Sequence, residues 1–428
     1  MQANTLLEDD MIQSGLWDFV PWSQYVKPRE PTGEVMRKGI LGLWDRLWRA
    51  PEKTKEKVVQ TELREVDQSM LNRIIPVPNW KEAVPALNGA LSDWLNTDHP
   101  ECPFRIVLGA PHSGVSEILE CLGETPPWRI LRAPSTNQIL AGGDAWISRI
   151  PDSSNAFLII PHLEHYYLRH YEGLDLMRKL VDKLLSFSGR CIIGCDTWAW
   201  AYLNMALQLE SFLPEPLTLA AFDRERLERC FQPPSTEGSE AVFRFRQTDN
   251  GKFVLLPVKG NEKEAGGQQK GGEEKKGEGE KVEVTDFLNH VAAFSRGILG
   301  IALAVWKYSL RLAPEEEANE KVRQTAAADR GNTIWVRPWN DLDLPVLPRQ
   351  MDRDLYFVLD AILLHGGLST QLLSHLLPLA PPEILRTLHL SRAAGLLALE
   401  KGVWHIPALG YPAVRQFLAS GGYLVDAV

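Results

Sequence analysis

Phe104 to Leu122 reads FRIVLGAPHSGVSEILECL. FRIVL is a short, mainly apolar run of the kind that forms a buried strand. GAPHSGVS follows as a glycine-containing loop, and SEILECL continues as a helix. A strand, then G-x-x-x-x-G, then a helix is the frame of a phosphate-binding loop, in which backbone N–H groups and the helix N-terminus cradle phosphate. Gly109 and Gly114 hold the two glycine positions, with His112 and Ser113 between them. Ser116 stands where a hydroxyl would hold Mg²⁺, while Val115 occupies the place of the phosphate-binding lysine. Losing that charge-assisted contact costs on the order of 1.5–3 kcal/mol of phosphate binding.

The rhythm continues outward on the C-terminal side. WRIL, AFLII, CIIGC and LTLAA read as further strands, and the segments TNQILAGGDAWISRI, GLDLMRKLVDKLLSF, WAWAYLNMALQL and DRERLERCF as helices between or after them. Short apolar strands alternating with helices imply a parallel sheet covered on both faces, an α/β core over residues 76–231. A phosphate site of this kind also needs an acid at the end of the third strand to position Mg²⁺. Pro161 takes that place, His162 follows, and Glu164 is the nearest carboxylate. The histidines His162, His165 and His170 match no metal-ligand spacing on one helical face, and the sequence therefore assigns no metal site.

Residues 232–313 read as a lid region. VFRFRQTDNGKFVLLPV forms a hairpin with Asn250 and Gly251 at its turn, and TDFLNHVAAFSRGILGIALAVWKYSLRL is helical. Between them, residues 260–281 are Gly, Glu and Lys with almost nothing apolar, which predicts a disordered loop. A polar linker near 314–332 leads to a last domain at 333–428. There DRDLYFVLDAILLHG, STQLLSHLL and EILRTLHLSRAAG read as three helices, and LLALEKGVWHI as two strands around Lys401 and Gly402. That is the winged-helix arrangement, a helix-turn-helix variant. Its third helix offers Arg386, His389 and Arg392, but residues 352–428 hold five Arg/Lys against six Asp/Glu. DNA-binding modules carry a basic face, so a protein contact ranks above nucleic acid.

Residues 1–75 read as a tryptophan-rich attachment segment. In RKGILGLWDRLWRAPEK, Ile40, Leu41, Leu43, Trp44, Leu47 and Trp48 share one helical face, with basic residues around it. Residues 36–49 are thus expected to dock on the protein's own core or on a partner such as a membrane protein, with a membrane surface as the alternative.

The order of strand and phosphate loop, FLIIPHLE, CIIGCDTWAWAYL and a lid with FSRGILGIALAVW resembles the AAA+ ATPases, closest to the initiator-like and STAND-like branches that end in a winged helix. The resemblance covers roughly residues 75–428. It implies an ATP or ADP site with Mg²⁺, with Asp196 and Thr197 sensing the γ-phosphate and Arg296 reaching the nucleotide from the lid. It also implies switching within a homo-oligomer or on a partner. The departures at Val115 and Pro161 point to a regulatory or scaffolding protein with little or no hydrolysis. The alternatives are an active ATP-driven switch that takes its missing charge from Arg296 or a neighbouring subunit, and a DNA-binding regulator.

The chain has 428 residues and a formal net charge of -9, with 44% hydrophobic and 24% charged residues, as in ordinary globular proteins. That acidity argues against wholesale coating of nucleic acid. Five scattered cysteines without a CxxC pair support neither a disulfide framework nor a zinc ribbon. The start, MQANTLLEDDMIQSG, lacks the build of a signal peptide, and the longest apolar stretch is too short to span a bilayer. The expected place is the cytoplasm, with peripheral attachment to the inner face of a membrane through residues 36–49.

Overall fold

The computed structural model describes residues 15–30, 63–98, 100–151, 153, 155–233, 243–256, 283–312, 333–347 and 353–424. The apolar stripe at 36–49, the Gly/Glu/Lys run at 260–281 and the linker near 314–332 lie outside the described residues.

Strands β1 (Phe19–Pro21) and β2 (Arg64–Glu65) come first. The α/β core adds β3 (Phe104–Gly109), β4 (Arg129–Ile130), β5 (Phe157–Ile160), β6 (Arg190–Asp196) and β7 (Leu217–Leu219). The sheet order is β1-β7-β3-β6-β5-β4. All pairings among β3 to β7 are parallel, and β1 alone runs antiparallel, on β7. Ile106, Val107, Leu108, Ile159, Ile160, Ile192 and Ile193 are buried, as strands covered on both faces must be. The phosphate-loop strand β3 therefore lies inside the sheet, and its loop opens at the C-terminal edge, where parallel α/β sheets bind ligands.

The N-terminal assignment needs correction. Residues 15–30 and 63–75 are built into the body rather than appended to it. β1 completes the core sheet, Trp17 packs on Trp80 and Phe222, and Tyr25 donates its hydroxyl to the Arg296 carbonyl at 2.8 Å. The sequence also predicts one helix over 136–150. The structure breaks it into Thr136–Leu140 and Asp144–Ile147, because Gly142 and Gly143 both take positive φ.

In the region 232–313 the hairpin strands are part of a larger sheet than the sequence implies. The strands β8 (Arg244–Gln247), β9 (Phe253–Leu255), β10 (Leu310–Leu312) and β11 (Thr333–Val336) join β2 in a second sheet of order β2-β10-β11-β8-β9. Helices Phe287–Ser295 and Leu299–Ser309 pack beside it, separated by Arg296 and Gly297 at positive φ. Trp306, fully buried among Phe231, Phe245 and Phe287, joins sheet and helices.

The C-terminal unit runs helix Arg353–Leu364, β12 (Leu368–Ser369), helices Thr370–Leu376 and Pro381–Ala393, the hairpin β13 (Ala398–Glu400) and β14 (Val403–His405), then helix Tyr411–Ser420. Lys401 at φ 49° and Gly402 at φ 83° give the hairpin a type I′ turn, the form whose twist suits a two-residue loop. Among the described residues, no helix is long and apolar enough to cross a membrane.

Candidate functional site

The loop after β3 lines a cavity of about 320 Å³. Of the ten residues singled out in the sequence, Gly109, His112, Ser113, Gly114, Val115, Ser116, Glu164 and Asp196 line it. Thr197 and Arg296 do not. Thr197 is buried in the first turn of its helix. Arg296 ends the helix Phe287–Ser295 in the left-handed conformation.

The loop is closed on itself. The Ser113 N–H donates to the Ala110 carbonyl at 3.0 Å, and the His112 carbonyl accepts from the Gly300 N–H at 3.0 Å. His112 and Gly114 take positive φ, 69° and 88°. A β-carbon at Gly114 would lie 2.2 Å from the Trp80 ring, so an indole covers the second glycine of the motif. Ser116, placed for Mg²⁺, instead donates its hydroxyl to the Pro161 carbonyl at 3.1 Å. The two positions that would grip the metal are tied to each other. Val115 is 3% exposed and belongs to the core of the α/β domain.

Glu164 is buried in the short turn Leu163–His165 on the cavity wall. Its Oε1 accepts from His162 Nδ1 at 2.9 Å, and its Oε2 accepts from the Asp196 N–H at 3.1 Å. Burial pushes the Glu164 carboxyl up, but His162 and His165 outweigh it and hold it below the usual range. His162 is pushed down by burial and, more strongly, up by Glu164 and the Glu120 and Glu117 carboxylates, so it sits above its ordinary value. Asp196 caps the following helix, accepting from the Trp198 N–H at 2.8 Å. It thus acts as a capping acid.

The remaining walls come from the C-terminal unit, which sequence reasoning did not place here. Ile362, Leu363, Gly366, His405 and Ile406 complete the cavity. His112 Nε2 donates to the Ile406 carbonyl at 3.0 Å, Trp198 Nε1 to the Tyr411 hydroxyl at 2.9 Å, and the Tyr167 hydroxyl to the Leu364 carbonyl at 2.7 Å. Arg169 pairs with the buried Asp360, and its backbone N–H donates to His365 Nε2. Ala110, Trp198, Ile298 and Ile301 share an apolar cluster with the unit. Burial pushes His112 down to about 4 and His365 down to about 3, so both stand neutral in this contact.

The histidine expectation also changes. His162, Glu164 and His165 bring three potential ligand atoms within 4.8 Å of one another, although their spacing fits no helical ligand pattern. A single tight turn, not a helix face, gathers them.

No protein-family model matches this chain, and no curated protein matches it. Among solved structures it is similar to Cdc6p from Pyrobaculum aerophilum, with 12% identity over 83% of this chain and 99% of that one, at a TM-score of 0.27. It is similar to the ORC2 protein of Aeropyrum pernix in its ADPNP-ADP complexes, with 12% identity over 82% and 97%, at a TM-score of 0.31. A Walker-type ATPase of Pyrococcus abyssi matches over 79% and 96% with 12% identity and a TM-score of 0.26. Scores this low describe a loose likeness and decide neither fold nor function. The mixed α/β architecture with its parallel sheet rests on the strand order above.

Proposed function

We propose that this chain is a P-loop scaffold of AAA+ build with a C-terminal winged helix, and that it works as a regulatory or scaffolding protein with little or no ATP hydrolysis. The observation that carries the reading is the state of the phosphate loop. Its metal-side hydroxyl is bonded to the Pro161 carbonyl, its lysine position holds a core valine, and the cavity wall presents the Glu164 carboxylate. With valine in the lysine position, the loop itself offers a polyphosphate no side-chain cation. Arg296, the in-chain substitute that an active switch would draw on, is not among the residues lining the cavity, which supports the reading with little hydrolysis.

The outer surface of the winged helix favours a protein over DNA. Arg386, His389 and Arg392 are exposed on the helix Pro381–Ala393, but Leu385 and Leu390 are exposed among them. Leu399 and Val403 are likewise exposed on the hairpin. Apolar side chains between a few cations suit a protein contact better than a phosphate backbone.

Steady-state ATPase assay of the purified full chain, with calorimetric titration of ATP–Mg²⁺, tests the reading. The expected result is no turnover above background and no saturable heat. Turnover on the order of 1 s⁻¹, in the ordinary enzyme range, would overturn it.

A further inference from the structure

We infer that His162, Glu164 and His165 form a binding site for a zinc-class transition-metal cation at the wall of the loop cavity. Three observations converge on it. The first is the donor set. Two imidazoles and one carboxylate suit zinc and its neighbours, whereas Mg²⁺ prefers an all-oxygen shell. The second is the geometry. The three potential ligand atoms lie within 4.8 Å of one another, and His162 Nδ1 is already 2.9 Å from Glu164 Oε1. Ligand atoms around a tetrahedral zinc stand roughly 3.3–3.5 Å apart, given metal–ligand bonds of about 2.0–2.2 Å. A rotation of the exposed His165 ring, now stacked on His162 at 4.9 Å, is the main adjustment required.

The third observation is the support around the ligands. Glu164 is anchored by the Asp196 N–H at 3.1 Å on the oxygen turned away from His162. With Nδ1 of His162 on the metal, its Nε2–H faces Glu120, whose Oε1 is 3.8 Å away. At that distance Glu120 acts through its charge rather than a hydrogen bond, and a negative charge behind a ligating imidazole raises its basicity. Metal binding replaces the Nδ1–H: from the imidazolium that proton leaves to solvent, and from the neutral ring it moves to Nε2 with no net release. Three protein ligands leave the fourth position to water from the cavity. Gly366 of the C-terminal unit closes over the turn, since a β-carbon there would lie 3.3 Å from His165 Nε2 and 3.5 Å from Glu164. The site therefore sits where the two units meet, with Glu164 buried and His165 on its open side.

This assignment goes beyond the proposed function and does not depend on it, because no nucleotide takes part. The full chain is stripped with a chelator and titrated with Zn²⁺ against a chromophoric competitor, without nucleotide. Co²⁺ is titrated in parallel, with its visible ligand-field bands as the signature. The expected result is one equivalent of metal in the unmodified chain. His165→Ala, on the exposed side of the site, should weaken zinc on the order of a hundredfold or more and remove the cobalt bands while leaving the circular dichroism unchanged. Glu120→Gln should weaken zinc by about tenfold. No bound metal, or stoichiometric binding that persists unchanged in His165→Ala and in His162→Ala, overturns the site. Metal held only when ATP is present would overturn it as well. ATP turnover by a chain whose zinc site behaves as expected would overturn the proposed function alone.

Discussion

Gly114 combines two demands that only glycine meets. Its φ of 88° is disfavoured for any residue with a β-carbon, and the Trp80 ring occupies the space where that carbon would lie. Gly114→Ala should therefore destabilise the chain by about 2–4 kcal/mol, adding backbone strain to overpacking. The double variant with Trp80→Ala should lose less than the sum of the two single changes, because the clash has gone. Urea unfolding of the four chains measures this coupling, and strict additivity would show that the indole does not press on the loop. This residue was legible in the sequence as a loop glycine. Its partner was not, since Trp80 lies 34 positions away without any motif to join them.

At the scale of elements, the contact between helix Thr197–Leu207 and helix Tyr411–Ser420 turns on one hydrogen bond. Trp198 and Tyr411 are 1% and 0% exposed, and the indole N–H has the phenol oxygen at 2.9 Å. Tyr411→Phe leaves that donor buried without its acceptor and should cost about 1–3 kcal/mol. Adding Trp198→Phe should recover part of the loss, which thermal melts of the two variants would reveal. Several elements were readable from their residues. FRIVL, FLII and CIIGC are short, rich in β-branched residues and flanked by turn residues, as covered strands are, and Lys401-Gly402 marks a tight turn. The pieces misread were those without a local signal. β1 is three residues long, and β2 is an Arg–Glu pair, so neither carries a strand pattern. The lid sheet is assembled from strands far apart in the chain, and the turn that gathers His162, Glu164 and His165 has no periodicity at all.

For the whole molecule, the junction of the α/β core with the C-terminal unit is built on neutral histidines. His365 is lowered by burial, then by His165 and Arg169, against the Glu164 backbone; His112 is lowered by burial and His405 against the Ile406 carbonyl. Folded values below that of a free histidine, about 6.5, mean that the unfolded chain binds the protons first. Stability is then full above about pH 6.5 and falls as pH drops towards 4, by up to about 1.4 kcal/mol per pH unit for each histidine. His162, raised by its carboxylates, has the opposite sign and contributes stability that fades as pH rises through its folded value. His165 is lowered by burial as well, and three lowered histidines against one raised predict a net loss on acidification. Urea midpoints at pH 7 and pH 5 should differ, and His365→Asn should flatten the difference; an unchanged slope would remove His365 from the account. None of this junction was visible beforehand, because docking between distant units leaves no pattern in either one.

The pairing of β2 with β10 sets a schedule for the chain as it is made. Arg64 and Glu65 find their partners only at Leu312 and Arg311, roughly 250 residues later. At about 5–20 residues per second of synthesis, the early strand waits on the order of 12–50 s. β1 waits for Leu217–Leu219 in the same way, so the edge of the core sheet stays open until β7 has left the ribosome. The two early strands are therefore made well before they are secured. A nascent chain halted before Leu310 should leave Arg64 and Glu65 without their sheet, exposed to protease or to a holding chaperone.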